Sequence, residues 1–418
     1  MATNTDIPHG YKATALGIIP QEWEVMRLGD IVSITSGESP SLYHLKAEGK
    51  YPYVKVEDLN NCEKYQESSR EYSDDNNTTI KAGSIIFPKR GASILNNKVR
   101  IAAKDIQMDS NMMAITPHTA IVDTEFLYIR ILHERLYRIA DTSSIPQINN
   151  KHIIPYKIAV PPLAEQRKIA EVLGVWDEAI EKQARLIEKL ALRKRGLMQR
   201  LLSAKLRLPG FSEPWQKVKL GDIGDTYNGL SGKNKDDFEY GNAQFIPYIN
   251  VFSNERIDTN NLGCVQIKPN EQQNTVKYGD IFFTVSSETP DEVGMASVLL
   301  EHLDNTYLNS FCFGYRLNNF STLNPFFAAY LFRTEHFRNY MSVLAQGSTR
   351  FNISKKEVMK LKIDLPTIEE QTAIAEVLTA ADREIELAKE KLERLRRQKR
   401  GLMQQLLTGK KRVKYNKI

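Results

Sequence analysis

The sequence predicts an α+β chain: two similar mixed α/β domains joined by two long helices that pair as an intramolecular antiparallel coiled coil, with approximate two-fold symmetry. Two observations carry this. A stretch from Pro161 to Lys205 returns from Pro366 to Lys410 without insertion or deletion, and the segments preceding each copy share framework positions while their loops differ. The domain limits read this way are 1–161 (with a flexible lead over 1–15), 162–208, 209–365, 366–410 and a basic tail at 411–418.

The repeated stretch defines the helices. Glu165-Gln166 returns as Glu370-Gln371, and Lys194-Arg195-Gly196-Leu197-Met198 returns as Lys399-Arg400-Gly401-Leu402-Met403. Ile169, Leu173, Trp176, Ile180, Ile187, Leu190, Leu197 and Leu201 are spaced by threes, fours and their sums, the signature of a coiled-coil seam. The second seam holds Ile374, Leu378, Ile385, Leu392, Leu395, Leu402 and Leu406, with Ala381 and Ala388 between them. Lys194 and Lys399 interrupt the two seams at matching positions. About 40 residues at 1.5 Å each make a rod of roughly 60 Å. Such a rod needs a partner stripe of equal length, and the chain carries one. Thr367 with Glu370 fits a capping box, Gly409 fits a helix C-terminal glycine, and Pro209-Gly210 closes the first copy.

Within 23–160, Tyr53–Val56 and Ser84–Phe87 read as strands and Phe126–Ile139 as an amphipathic helix. The second mixed segment repeats the frame: Trp23…Leu28-Gly29-Asp30-Ile31 matches Trp215…Leu220-Gly221-Asp222-Ile223, and Tyr128 matches Tyr330. Antiparallel helices would set the two domains at opposite ends of the rod. Two heads at a fixed separation suit a ligand with two separated half-sites, such as duplex DNA.

Composition restricts the function. The 418 residues carry a net charge of +6, with 41% hydrophobic and 26% charged residues. Residues 163–208 hold 11 Lys/Arg against 6 Asp/Glu and residues 366–418 hold 13 against 8, so the remainder is net −4. The domains are therefore not basic overall, and nucleic-acid contacts there must come from local loops. Cys62, Cys264 and Cys312 form no C-x-x-C pair, the seven histidines show no i, i+4 pair, and there is no phosphate-loop motif. No disulfide framework, zinc cluster or metal site is indicated, which fits a reducing cytoplasm as the expected compartment, and neither a signal peptide nor a membrane span is read. Asn324-Pro325-Phe326-Phe327 reads as a helix cap followed by proline at the first helical position. No enzyme active site emerges.

Six loops supply the residue types that read base edges or hold phosphates. In the first domain the candidates are Ser36, Ser39, Lys89, Arg90, Ser93, Asn96, Asn97, Lys98, Ser144 and Gln147. In the second they are Ser231, Lys233, Asn234, Thr284, Ser286, Ser287, Ser348, Thr349, Arg350 and Asn352.

The repeated P-L-A-E-Q-R-K-I-A-E-V-L…K-R-G-L-M-Q run, the W-x-x-x-x-L-G-D-I openings and G-S-T-R-F-N-I-S at 347–354 together resemble the specificity subunits of type I restriction–modification systems over nearly the whole chain. The resemblance implies two target recognition domains, each reading one half of a bipartite asymmetric site, with the helical rod setting the spacer. It also implies a non-catalytic chain without a cofactor of its own. Two modification subunits would carry S-adenosylmethionine and methylate adenine, and restriction subunits would use ATP and Mg2+. A scaffold that binds only protein is the alternative from another class, and an unrecognised enzyme a third.

Overall fold

The computed structural model describes residues 7–141, 145–238 and 240–415. The chain forms two compact units, 1–184 with 390–418, and 185–389. Compactness thus divides the chain inside both long helices, and each unit owns one mixed domain, the start of one helix and the end of the other.

The first unit is built on a five-stranded sheet of strands 32–36, 112–117, 85–88, 100–102 and 65–66, in that spatial order. Its longest strand, Met112–Pro117, is buried along almost its whole length, because apolar clusters lie on both of its faces. A smaller three-stranded sheet uses residues 107–108, 51–54 and 72–73. The expected helix over 126–139 is two pieces, Thr124–Glu134 and Leu136–Ile139, broken at Arg135 with φ +65°. Asn97 stabilises the break: its side-chain oxygen accepts from the Leu136 N–H. The expected loose lead over 1–15 is different from Tyr11 onward. Tyr11–Thr14 pairs antiparallel with Gly17–Pro20 as a hairpin, and the Tyr11 hydroxyl donates to the Gly409 carbonyl.

The second unit repeats the plan. Strands 224–228, 312–317, 281–284 and 296–298 form its main sheet, and 263–265, 243–246 and 306–308 its smaller one. Asn324 caps Pro325–Leu331, its side chain accepting from the Phe326 and Phe327 N–H groups, with proline at the first helical position as expected. In the core Phe283 stacks on Phe313, and Phe332 meets both Phe283 and Phe337 edge to face.

The long helices run Leu163–Leu201 and Ile368–Leu407. In the first unit Ile169 and Leu173 share one core with Leu402, Met403, Leu406 and Leu407. In the second, Leu197, Met198, Leu201 and Leu202 share a core with Ile374, Ala375 and Leu378. The start of one helix packs on the end of the other in both cases, so the pair is antiparallel. Of the seam positions, Ile169, Leu173, Leu190, Leu201, Ile374, Leu378, Leu392 and Leu406 are buried. Trp176, Ile180, Ile187, Leu197, Ile385, Leu395 and Leu402 are half-buried.

The polar residues of the repeat have defined partners. The Lys194 ammonium meets Asp382 at 2.6 Å and Glu255 at 2.9 Å, and Lys399 pairs with Asp177. These lysines interrupt the seam because each finds a carboxylate on the facing helix, which offsets its desolvation. Gln166 donates to the carbonyls of Pro161 and Ile121 and accepts from the Asp123 N–H, and Gln371 does the same with Pro366, Thr322 and Asn324. The buried glutamine thereby fastens each helix start to the segment that follows strand 112–117 or 312–317. Half of the expected capping box forms. Thr367 Oγ1 accepts from the Glu370 N–H at 3.4 Å, whereas the Glu370 carboxylate turns to Arg207. Over its described residues the basic tail is part of the first unit, with Arg412 on Glu165 and Glu22 and Val413 against the core.

Candidate nucleic-acid interface

In each unit one end of the main sheet gathers several loops. In the first, strand 32–36 ends at Ser36, strand 85–88 ends before Lys89, and the turn Asp109-Ser110-Asn111 leads into strand 112–117. The Lys89 N–H donates to the Asn111 carbonyl at 2.8 Å. Arg90 and Gln147 pair as an antiparallel bridge, and the Ile148 N–H donates to the Lys89 carbonyl at 2.9 Å. Candidates from three separate stretches of the sequence, Ser36, Lys89-Arg90 and Gln147, are thus brought to one sheet end. The helix start lies beyond the other end of strand 112–117, roughly 20 Å away for six extended residues.

Two cations side by side raise the local potential. Partial burial, and then the neighbouring Arg90 guanidinium, push the Lys89 ammonium below its ordinary value, against the opposing pull of the Asp109 carboxylate. Two cations on one sheet end are the residue types that hold phosphates.

The second unit has the same geometry. Ser286-Ser287 pairs with Phe351-Asn352, the Ile353 N–H donates to the Val285 carbonyl at 3.0 Å, and the Val285 N–H donates to the Phe311 carbonyl at 2.9 Å. Ser348, Thr349 and Arg350 form the exposed tip of this ribbon. Among the described residues the Arg350 guanidinium makes no hydrogen bond or ion pair. Asn352 is exposed beside it.

Other candidates are held within the protein. The Asn97 amide donates to the Leu132 carbonyl, and the Lys98 ammonium reaches Asn60. Thr284 is fully buried and its hydroxyl oxygen accepts from the Met295 N–H. Ser286 is buried, and Ser287, also buried, donates to Glu292. Lys233 is sequestered by Glu271 at 2.5 Å and the Gln266 carbonyl at 2.6 Å. Ser39 is exposed with its hydroxyl 2.9 Å from that of Ser41, and Ser231, Asn234 and Asn96 are exposed, while Ser93 is half-buried. Ser144 lies outside the described residues.

Sequence reasoning passed over four residues at these sheet ends: Asn111, Asn228, Phe311 and Lys355. Burial pushes the Lys355 ammonium down, and it contacts the Asn228 side chain. A signal for the turns was present, since Asp109-Ser110-Asn111 aligns with Asn309-Ser310-Phe311. Among the described residues no cluster of His, Cys, Asp and Glu is placed to hold a metal ion, and no helix is long and apolar enough to cross a membrane.

A duplicated scaffold whose sheet ends carry different polar side chains is the architecture of a two-part DNA reader. Residues 20–191 and 212–397 each match the model of the type I restriction modification DNA specificity domain, and the chain belongs to that family. It is 27% identical to the type I restriction enzyme MjaVIII specificity subunit of Methanocaldococcus jannaschii, over 95% of this chain and 94% of that protein. The fold is similar to that of a chain solved in work on complex assembly and conformational transition of the type I system (TM-score 0.64, 20% identity, 94% of this chain and 99% of that one). It is also similar to that of the specificity subunit from M. genitalium (TM-score 0.53, 17% identity, 92% and 96%).

Proposed function

We propose that each unit reads one half of a bipartite, asymmetric duplex-DNA site at its sheet end, and that the paired helices set the spacer and dock two modification subunits. The chain is the specificity component and performs no chemistry. S-adenosylmethionine, and the ATP and Mg2+ used by restriction subunits, reside on those partners, and the assembly works in the cytoplasm. Methylation of an adenine inside a half-site requires the partner to extrude that base from the stack.

One observation carries this reading: the two units reproduce the main backbone hydrogen bonds of the same sheet-end turn and ribbon, with different side chains on them. Each correct base pair then adds discrimination of about 1–3 kcal/mol, and tethering raises the effective concentration for the second half-site. Membership of a DNA specificity family disfavours the protein-only scaffold. The test is co-expression with the modification subunit, followed by single-molecule mapping of methylated adenines. A single motif of two parts separated by unspecified bases is expected; random or absent methylation by a stable complex overturns the reading.

A further inference from the structure

The turns at the heads of strands 112–117 and 312–317 share their backbone bonds and an Asx anchor. In the second, the Asn309 side-chain oxygen accepts from the Phe311 N–H at 2.8 Å, its amide donates to the Ile246 carbonyl at 2.9 Å, and its own N–H donates to the same carbonyl. In the first, Asp109 accepts from the Asn111 N–H at 2.7 Å while its N–H donates to the Val54 carbonyl at 3.0 Å. Both anchors are buried, at 5% and 9% exposure. Gly37 and Gly229 close the turns from the side. A Cβ there would stand 2.1 Å from the Asp109 carbonyl oxygen and 2.0 Å from that of Asn309, so only glycine admits this approach. The backbone is therefore fixed, and the third residue is turned out of the fold.

That third residue differs completely between the units. Asn111 is exposed, with its amide nitrogen held by Asp109 and its side-chain oxygen open among the described residues. Phe311 is 58% exposed. A large apolar ring on a rigid turn, on the same sheet end as the open guanidinium of Arg350, loses hydrophobic free energy until something apolar covers it. On duplex DNA the apolar group offered at a base edge of the major groove is the thymine 5-methyl.

We propose that this turn is a specificity-determining element of each half-site, and that Phe311 contacts the 5-methyl group of one thymine in the half-site read by the second unit. The proposal rests on the DNA-reading role given above. Asn111 occupies the corresponding place in the first unit and accepts a hydrogen bond there instead.

The test uses the chain purified with its modification subunits, after the methylated motif has been mapped. Each thymine of the half-site read by the second unit is replaced in turn by deoxyuridine, which lacks only the methyl group. One replacement should weaken binding about fourfold, the worth of one buried methyl. The Phe311→Ser chain should bind the unmodified duplex correspondingly less well and be indifferent to that same replacement, with unfolding midpoint unchanged. Asn111→Ser should leave the thymine effect intact. Equal binding to every deoxyuridine duplex, or a second half-site without a T·A pair, overturns the assignment while leaving the two-part motif standing. Loss of the motif in the unsubstituted complex is a different result, and defeats the DNA-reading role itself.

Discussion

Arg412 grips the buried carboxylate of Glu165 with Nε at 2.5 Å and Nη2 at 2.7 Å, and the Trp23 indole donates to the same carboxylate at 3.0 Å. Arg207 does the same to Glu370, at 2.6 and 2.7 Å. The hydrogen bonds it donates to Glu165 hold the Arg412 guanidinium protonated well above its ordinary range. Removing the cation leaves a fully buried carboxylate with one neutral donor. Arg412→Ala should cost about 3 kcal/mol of unfolding free energy by urea titration. Arg412→Lys should recover only part, because an ammonium lacks the planar fork that a bidentate pair needs.

The helix ends make a second comparison. Gly409 terminates its helix at φ +72°, whereas Ala204 at the matching position adopts φ +57°. An L-residue there is strained by about 1–2 kcal/mol, partly offset by the greater unfolded-state entropy of glycine, about 0.4–1 kcal/mol. Ala204→Gly should therefore raise stability by about 0.5 kcal/mol in thermal or urea unfolding. Gly409→Ala should lower it, since a Cβ would also stand 2.3 Å from Pro20 Cδ.

Acid sensitivity follows from the loop at 229–235. The Lys233 hydrogen bond, ahead of the bond from Gln273, holds the Glu271 carboxyl at about 2, below its ordinary 4.5. The folded value is depressed, so the stabilisation is complete above pH 4.5 and is lost as pH falls toward 2. The stability difference between the native chain and Glu271→Gln should accordingly be constant from pH 7 to 5 and shrink between pH 4.5 and 2.5. A difference that grows on acidification contradicts this.

Salt dependence separates phosphate contacts from base contacts. Arg90→Ala and Arg350→Ala should each reduce the slope of log K against log salt by about 0.9 in duplex binding, with the methylated motif unchanged. A changed motif at either position reassigns that arginine to a base edge.

The helices and their seam were legible in the sequence because burial on one stripe imposes a period of threes and fours, and the duplication supplied a second reading of the same stripe. The Asn324 cap was legible for a similar local reason. The candidate interface was less so. Arg90 and Gln147 are 57 positions apart and meet only through a bridge that the fold creates. Lys233 and Thr284 have the composition of DNA contacts, yet a carboxylate and a backbone N–H claim them. Composition reports what a side chain can do, whereas burial and partners decide what is left for it to do. The hairpin from Tyr11 escaped notice because its pairing partner is only a few residues away and its alternation is short.

The buried Asx anchors at Asp109 and Asn309 have a consequence for how such a protein changes over time. In the second unit every bond that shapes the turn comes from the backbone or from the anchor, and none from the ring of Phe311. The tip can be exchanged with little thermodynamic resistance from the core beneath it, and the cores of the two units are separate clusters. Mutational drift at one tip is thereby insulated twice, from the stability of its own unit and from the preference of the other. On the DNA-reading role proposed above, a change at one tip would alter one half of the target and leave the core of the other unit untouched.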